Sequence, residues 1–258
     1  MSKYLVDSTD MTAIANAIRT KDGTQTTMTV SQMPTRISNI PSGGTDSLES
    51  LLNGTLTSYV VPNSVTSIPA YAFYQNSTIQ SITFPSTLTS IGNYAFSHAA
   101  LSGSLVLPSG LTSIGEDAFG NCYGLTSVTF PNISDWNTFA KAEAFYSCRS
   151  LTTLINFNIR DAQIPQGIPQ YIFSGTALVG DITCPSFTRF NDYCFNNSRS
   201  TGLFLIHLTD PDPQNYYFGT GAFNTTHCRL VVPYSEDHSV LAAYQATSYG
   251  NICIEESN

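Results

Sequence analysis

The sequence has few charged residues and very few basic ones. Charged residues make up 11% of the chain, well below the roughly 25% typical of globular proteins. The ten Lys and Arg residues are scattered singly and the formal net charge is −8. Because no basic stripe is available to neutralise phosphates, we expect no nucleic-acid partner.

Long apolar runs are also missing. No window reaches the about 18 apolar residues that suggest a membrane span, and the first residues lack the apolar core of a secretory signal. We therefore expect no membrane insertion and no export through an N-terminal signal. The last residues do not resemble a cell-wall sorting signal either.

Signatures of catalysis and metal binding are absent as well. There is no nucleophile elbow, phosphate loop or dinucleotide-binding fingerprint. Glu116-Asp117 and Asp210-Pro211-Asp212 could attract a cation, but the loop spacing of a calcium site is lacking, so we interpret both as solvated turns. We predict no catalytic residue, no cofactor and no metal, and we interpret the histidines as structural or exposed: His98, His207, His227 and His238.

What the chain does contain is a repeat. A phrase close to Leu-Thr-Ser-Ile-Gly-x-x-Ala-Phe recurs, first at intervals of 23 residues and then at 26, 28, 22 and 28. Such a period predicts a solenoid, in which each unit buries its apolar side against its neighbours. The repeat phenylalanines are Phe73, Phe96, Phe119, Phe145, Phe173, Phe195 and Phe223.

Short strands are predicted within each repeat. The segments 81–84 and 127–130 alternate polar and apolar residues, as expected for strands with one buried face. A proline follows several of these strands and ends them. We expect Ile82, Phe84, Val128 and Phe130 to point inward, and Ser81, Thr83, Ser127 and Thr129 to point outward.

Six cysteines leave two interpretations open, disulfides or packed thiols. Cys122 and Cys148 each follow a repeat phenylalanine by three residues, a position that favours a buried thiol. There is no Cys-x-x-Cys pair and no histidine at ligand spacing, which argues against zinc.

The phrase Leu-Thr-Ser-Ile-Gly-x-x-Ala-Phe-x-x-Cys, followed by Leu-Thr-Ser-Val-Thr-Phe-Pro, resembles the BspA-type leucine-rich repeats of bacterial, protist and phage surface proteins. Residues 111–131 match it almost letter for letter. The resemblance covers residues 48–233 and implies a mainly β solenoid with short strands and few helices. Extra residues at 132–141, 158–167 and 211–217 are expected to form loops.

The N-terminal residues 1–41 do not repeat and resemble a small unit common in tail and baseplate proteins of phages. The similarity lies in Thr9–Gly23 and in the later Ile37–Ile40, and it implies an α-rich attachment or oligomerisation module, followed by a linker at 42–47. An ordinary amphipathic hairpin packed on the first repeat is the alternative. The apolar positions that carry the module are Met11, Ile14, Ile18, Ile37 and Ile40.

At the other end, residues 234–258 predict a helical C-terminal cap. A helix beginning at Ser235-Glu236-Asp237 would have an acidic first turn that suits the helix dipole. Solenoids need such a cap to shield the open end of the core. This segment also resembles the closing segment of phage-encoded repeat proteins.

Recognition is the function that these features favour. Tyrosine occupies the position two residues before the repeat phenylalanine in four of seven copies, at Tyr71, Tyr94, Tyr171 and Tyr193. Tyrosine beside Ser and Asn has the chemistry of antibody paratopes, and aromatic faces suit sugars. These rings could instead merely cover the edge of the next coil. The outward strand residues, including Ser81, Thr83, Ser127 and Thr129, are the second candidate surface.

The resemblances at the two ends imply a non-enzymatic structural protein of a phage tail or baseplate. Residues 1–41 would bind other virion proteins, and the repeats, present in several copies as a homo-oligomer, would bind a host surface glycan or protein. The expected location is the virion, assembled in the bacterial cytoplasm. The alternatives are a virion decoration or spacer protein, and a bacterial adhesin or effector at the cell surface.

Overall fold

The computed structural model describes residues 57–133, 139–157, 167–184, 188–196, 202–223 and 227–256. The predicted N-terminal module and the linker at 42–47 lie outside the described residues. The described chain winds in successive coils, and each coil places its short strands parallel to those of the next coil. The predicted solenoid of short strands is therefore observed.

Fourteen strands and one α-helix are assigned in the described residues. In chain order they are β1 (Ser58–Val60), β2 (Ser67–Ile68), β3 (Ser81–Thr83), β4 (Ser90–Ile91), β5 (Ser102–Val106), β6 (Ser113–Ile114), β7 (Gly124–Thr129), β8 (Thr153–Ile155), β9 (Gly180–Cys184), β10 (Arg189–Phe190), β11 (Phe204–Leu208), β12 (Tyr217–Phe218), β13 (Cys228–Val232), α1 (Ser239–Gln245) and β14 (Cys253–Glu255). Single 3-10 turns occur at Pro213–Asn215 and Gly250–Ile252.

The strands form two ladders along the solenoid. One ladder consists of the sheets β1–β3, β5–β7–β8 and β9–β11–β13–β14, and the other of β2–β4–β6 and β10–β12. Equivalent repeat residues pair directly, as Leu105, Val128 and Leu154 do across β5, β7 and β8. The register therefore follows the repeat, and it places each apolar strand residue above its counterpart in the preceding coil.

The seven repeat phenylalanines stack through the interior. Neighbouring ring centroids are 4.9–5.7 Å apart from Phe73 to Phe195, and 6.5 Å apart between Phe195 and Phe223. Each ring is buried. The residue before most of them is alanine, and the N–H of Phe96 donates to the carbonyl oxygen of Ala118 at 2.7 Å. The small residue thus permits the close approach of the coils that the stack requires.

The six cysteines are buried as free thiols. As the sequence predicts for Cys122 and Cys148, their side chains point into the core, where each Sγ donates to the carbonyl oxygen of the repeat phenylalanine one coil back, at 3.1 Å. Burial raises the pKa of the Cys148 thiol to about 12. These thiols are therefore protonated packing groups at neutral pH.

The C-terminal end differs from the predicted helical cap. The helix α1 begins at Ser239 rather than Ser235, because His238 has a left-handed backbone with φ 55° and the preceding residues form a turn. Its first turn contains no acidic residue, so the predicted dipole interaction of Glu236 and Asp237 is wrong. Seven residues are helical, and β14 instead continues the parallel sheet beside β13.

The insertion at 211–217 is anchored to the core. Tyr216 is buried, and its hydroxyl accepts from the N–H groups of Thr209 and Asp210 at 3.0 Å and lies 3.2 Å from the carbonyl oxygen of Cys184. Only part of this predicted loop is therefore available as surface. In the part of the chain that the structure describes, no helix has both the length and the apolar character for a membrane crossing.

Candidate recognition surface

The turn that contains each repeat phenylalanine has an unusual backbone. The residues two positions before and two positions after the phenylalanine are left-handed, a conformation that glycine and asparagine adopt most easily. The positions before it have φ of 50–63°: Tyr71, Tyr94, Asp117, Glu143, Tyr171, Tyr193 and Gly221. The positions after it have φ of 55–73°: Gln75, His98, Asn121, Ser147 and Gly175.

This backbone lets the turn form hydrogen bonds in two directions. In the coil of Phe96, the N–H groups of Tyr94, Phe96 and His98 donate to carbonyl oxygens of the next coil at 2.7–2.8 Å. The N–H groups of Ala95 and Ser97, between them, donate within their own turn. The alternation satisfies backbone groups that would otherwise lack partners, and it places the side chains of successive turns in register. We call the surface formed by these turns the turn flank.

The tyrosines of the turn flank stack in two pairs. The rings of Tyr71 and Tyr94 are 5.1 Å apart with an interplanar angle of 7°, and those of Tyr171 and Tyr193 are 4.8 Å apart at 5°. Tyr71 is exposed and the other three are half-buried. The sequence expectation of a stacked column is therefore met within each pair, but the two pairs are separated by the coils of Asp117 and Glu143.

Stacking determines what the tyrosines present to a partner. Within a pair, each ring uses one face on the other ring. At the C-terminal end of the column, a Cβ on Gly221 would lie 2.6 Å from the ring of Tyr193, so this ring packs on the Gly221 backbone. Each tyrosine therefore offers a partner at most one ring face, together with its ring edge and its phenol hydroxyl, which forms hydrogen bonds.

Asp117 occupies a special place in the middle of the turn flank. It is only 7% exposed, and its Oδ2 accepts from the Ser97 hydroxyl at 2.7 Å, whereas its Oδ1 is buried without a hydrogen-bond partner. The side chain folds over Gly120, whose absent Cβ would lie 1.5 Å from Oδ1. Burial raises the pKa of the Asp117 carboxyl, since desolvation disfavours its charged form.

Two further carboxylates lie beside Asp117. Glu116 is exposed and accepts from the Tyr94 hydroxyl at 3.2 Å, and its negative charge raises the pKa of Tyr94. Partial burial raises the pKa of Glu143, with smaller contributions from the charges of Asp117 and Glu116. The three carboxylates lie in two adjacent coils between the tyrosine pairs, joined by a hydrogen bond from the N–H of Asp117 to the carbonyl oxygen of Ala142 at 3.2 Å. We call this group the acidic centre.

A second aromatic line, which the sequence analysis misses, runs beside the first. Tyr74, His98 and Tyr123 contact each other edge to face, with centroids 6.2 and 6.4 Å apart, and the Arg149 guanidinium lies 4.5 Å from the Tyr123 ring centre. The three rings lie one, two and four residues after their repeat phenylalanines, so no single position of the repeat reveals the line. The turn flank is thus wider than the predicted tyrosine column.

The strand face of the first ladder is the other candidate surface. Ser81 and Thr83 are exposed and Ser127 and Thr129 are half-buried, so all four lie on the outer side of their strands as predicted. Serines pair across the strands, and the Ser127 hydroxyl donates to that of Ser104 at 2.8 Å. Exposed Val60, Val106 and Ile155 share the register of the threonines. From β1 to β8 this face is uncharged and regular, whereas β9, β11 and β13 add Asp181, His207 and Arg229.

No arrangement for metal binding is found among the described residues, which hold no group of three or more suitable side chains. The carboxylates of Asp210 and Asp212 accept from N–H groups of their own turn at 2.9–3.0 Å. His207 lies between Asp181 and Glu256, at 3.9 and 3.7 Å, and His238 contacts Glu255. These histidines link strands and turns at the C-terminal end of the solenoid.

Comparisons with known proteins agree with the repeat. The family model described as BspA type leucine rich repeat region matches the chain in six copies, over residues 49–166, 101–203 and 138–232. A comparison with curated proteins gives no match. Two solved structures are similar in fold, a leucine-rich repeat protein from Bacteroides ovatus ATCC 8483 and a leucine rich cell surface protein from Faecalibacterium prausnitzii A2-165.

The similarity to both structures is distant. The first has 16% sequence identity and a TM-score of 0.38, with 76% of this chain and 61% of that chain covered. The second has 20% identity and a TM-score of 0.32, with 77% and 65% covered. The chain thus spans less than two thirds of each of these proteins.

Proposed function

The chain belongs to the BspA-type leucine-rich repeat family, and we propose that it is a non-enzymatic binding protein whose turn flank recognises the surface of a host cell. Each copy would contribute polar and aromatic contacts of modest strength. Several copies on one particle or cell would multiply this affinity, because tethered sites bind at a high effective concentration.

The observation that carries this proposal is the backbone conformation of the tyrosines. Tyr71, Tyr94, Tyr171 and Tyr193 are left-handed with φ of 56–61°, which costs a residue other than glycine roughly 1–2 kcal/mol. Gly221 occupies the same position in the last coil, so the turn does not itself require tyrosine. Residues on a strained backbone are typical of functional sites, and here tyrosine stands at positions that glycine could fill.

Stacking provides the competing structural explanation. An aromatic pair contributes about 0.5–1.5 kcal/mol beyond its buried area, which is similar to the backbone cost that the two residues incur. If stability alone explains the tyrosines, replacing them with residues that prefer the left-handed region should leave binding unchanged. If recognition explains the tyrosines, the same replacement should abolish binding and leave stability unchanged.

A variant with asparagine at positions 71, 94, 171 and 193 separates these two explanations. Asparagine tolerates the left-handed backbone, so we expect an unfolding midpoint close to that of the parent chain and a loss of binding to host cells, measured by flow cytometry with labelled protein. The control carries asparagine at positions 81, 83, 127 and 129, on the strand face. Loss of binding in the control variant, with binding kept in the tyrosine variant, would move the site to the strand face.

We further propose a phage tail or baseplate as the site of display. The support is the resemblance of Thr9–Gly23 to phage attachment modules and of the C-terminal segment to phage-encoded repeat proteins. In this arrangement the module at 1–41 binds other tail proteins and the repeats point outward as part of a homo-oligomer. The first alternative is a decoration or spacer protein, which would be located in the virion but would not bind a host receptor. The second is a bacterial adhesin, which would bind a receptor but would be located on a bacterial cell instead of a virion.

Mass spectrometry of purified particles and an adsorption assay distinguish these alternatives. We expect the protein in the particles, and we expect deletion of residues 46–258 to reduce adsorption to host cells. Presence in the particle with normal adsorption of the deletion would identify a spacer. Recovery of the protein from the bacterial cell surface, with none in particles, would identify an adhesin.

A further inference from the structure

We propose that the acidic centre of the turn flank binds a basic, extended peptide segment of the partner, with Glu116 and Glu143 as its carboxylate anchors. This inference rests on the proposed binding function and names the chemistry of its ligand. It follows from the distribution of charge along the chain, the packing of the acidic centre and the orientation of the tyrosine rings.

The charge distribution is uneven along the repeats. Between Glu49 and Asp135 the only charged residues are Glu116 and Asp117, and this stretch contains no Lys or Arg. Its surface is otherwise formed by Ser, Thr, Asn, Gln, Tyr, apolar residues and the exposed His98. Two adjacent carboxylates therefore stand on a largely neutral background. The N–H of Asp117 donates to the carbonyl oxygen of Ala142 at 3.2 Å, which brings the neighbouring Glu143 of the next coil beside them.

These carboxylates do not stabilise one another. No Lys or Arg forms an ion pair with them among the described residues, and the sole side-chain donors to them are the hydroxyls of Tyr94 and Ser97. Their mutual repulsion is unfavourable for folding. In the described part of the chain, His98 is the one titratable base whose charge acts on Asp117, where it lowers the pKa against the larger effect of burial. A group of like charges with no Lys or Arg paired to it is a candidate for an external cation.

The packing of Asp117 supports the same conclusion independently. The residue is more than nine-tenths buried, and its Oδ1, which lies over Gly120, has no donor. Buried polar atoms without a partner are rare in folded proteins and call for an explanation. When ionised, this carboxylate, with one oxygen bonded to Ser97 and the other without a donor, adds to the negative potential that a basic side chain would experience beside Glu116 and Glu143.

The tyrosine geometry favours a peptide over a glycan. Sugar rings pack on open aromatic faces, and stacking withdraws one face of each tyrosine beside the acidic centre from such a contact. Their hydroxyls remain as hydrogen-bonding groups for a peptide backbone, as in paratopes. A guanidinium or ammonium group between the tyrosine pairs would then contact the carboxylates directly.

The test uses the full chain and a fluorescein-labelled hexa-arginine peptide, with binding measured by fluorescence anisotropy at physiological salt. The variant is Glu116→Gln with Glu143→Gln. The matched control is Asp181→Asn with Glu236→Gln, which removes two exposed carboxylates outside the turn flank. A neutral chito-oligosaccharide of similar length, measured by calorimetry, is the second probe.

We expect the Kd for the peptide to rise about tenfold in the turn-flank variant and less than about twofold in the control, as for charge pairs of moderate strength. The unfolding midpoint of the turn-flank variant should stay the same or rise, because repulsion is removed. Equal weakening in both variants would overturn the inference. Binding of the oligosaccharide instead of the peptide would also overturn it, in favour of a glycan.

Host-cell binding separates this inference from the broader proposal. If cells bind the turn-flank carboxylate variant normally but fail to bind the tyrosine variant, the recognition function stands and the basic peptide is excluded. If neither variant loses binding, both proposals fail.

Discussion

Gly120 and Asp117 lie three residues apart in one tight turn, and we expect the effects of their substitutions on stability to be coupled. A Cβ at position 120 would lie 1.5 Å from Oδ1 and 2.6 Å from Cγ of Asp117. The backbone of Gly120 is not left-handed, so alanine is permitted there. The same position carries a side chain in other coils, namely Tyr74, Ser97, Tyr146 and Ser174. The glycine is therefore required by the folded-back carboxylate and not by the turn.

The magnitude follows from the contacts that would be exchanged. In Gly120→Ala, Asp117 must leave its buried position, and the lost hydrogen bond from Ser97 to a charged acceptor costs about 1.5–3 kcal/mol. Alanine reduces the conformational entropy of the unfolded chain, which stabilises the folded protein by about 0.4–1 kcal/mol. Renewed hydration of the displaced carboxylate also offsets part of the loss. We expect a net loss of about 1 kcal/mol in the free energy of unfolding.

In a chain that also carries Asp117→Gly, we expect Gly120→Ala to raise the free energy of unfolding instead of lowering it. Glycine is the natural residue at the equivalent position of the last coil, Gly221, so the left-handed backbone is kept and the clash disappears. In that background Gly120→Ala should stabilise the protein by about 0.5 kcal/mol through the unfolded state alone. The coupling energy of the double-mutant cycle is then about 1.5 kcal/mol.

Urea unfolding of the four chains measures this coupling, provided that the slope m is the same in all four. Identical effects of Gly120→Ala in the two backgrounds would refute the reasoning, because they would mean that Asp117 does not occupy the space over Gly120. Loss of stability in both backgrounds would place the strain in the backbone instead.

Other predictions concern pH, the phenylalanine stack and the thiols. Because burial raises the pKa of Asp117, its contribution to stability is complete below the unfolded pKa and declines as pH rises through the folded pKa. Urea titrations from pH 3.5 to about 7 should therefore show Asp117→Asn gaining relative stability as pH rises, and a constant difference would contradict this. Phe119→Ala should lower the free energy of unfolding by about 3–5 kcal/mol, since both ring faces are stacked; thermal unfolding would test it. Cys122 and Cys148 should react with a thiol reagent only on unfolding, because both are fully buried, and rapid labelling of the native protein would contradict their packing.

The repeat and its interior could be predicted from the sequence because their signals are local and are repeated several times. The spacing of Phe73, Phe96 and Phe119 identifies the coil, and the alternation around Val128 identifies the buried face of the strand. Both features depend on burial, which selects residue type directly. The stack of rings and the outward Ser and Thr residues follow from them.

The left-handed turns were not predicted, because most of their residues carry no obvious signal. Tyr94 and Glu143 are ordinary strand or helix residues when they are considered singly. The repeat nevertheless contains the information, since Gly221 and Gly175 occupy the two left-handed positions in individual coils. In a repeat protein, one glycine at a position can indicate the backbone of every copy.

The C-terminal helix was placed too early for a related reason. The sequence Ser235-Glu236-Asp237 has the composition of a helix start, but the Ser235 N–H and hydroxyl bond to the Glu255 carboxylate of the last strand. A tertiary contact twenty residues away thus competes with the local helix signal. Such contacts cannot be derived from the propensity of the segment itself.

The fold alone explains the residues of the strand face, but it does not explain those of the turn flank. Ser, Thr and Val on the strand face are residues that strands favour, so the fold alone accounts for Thr83 or Val106. The turn flank combines tyrosines on an unfavourable backbone with carboxylates that repel one another. Since stacking only offsets the backbone cost of the tyrosines and the carboxylates repel one another, folding alone does not account for these residues. The turn flank is accordingly where we expect substitutions to change recognition without loss of stability.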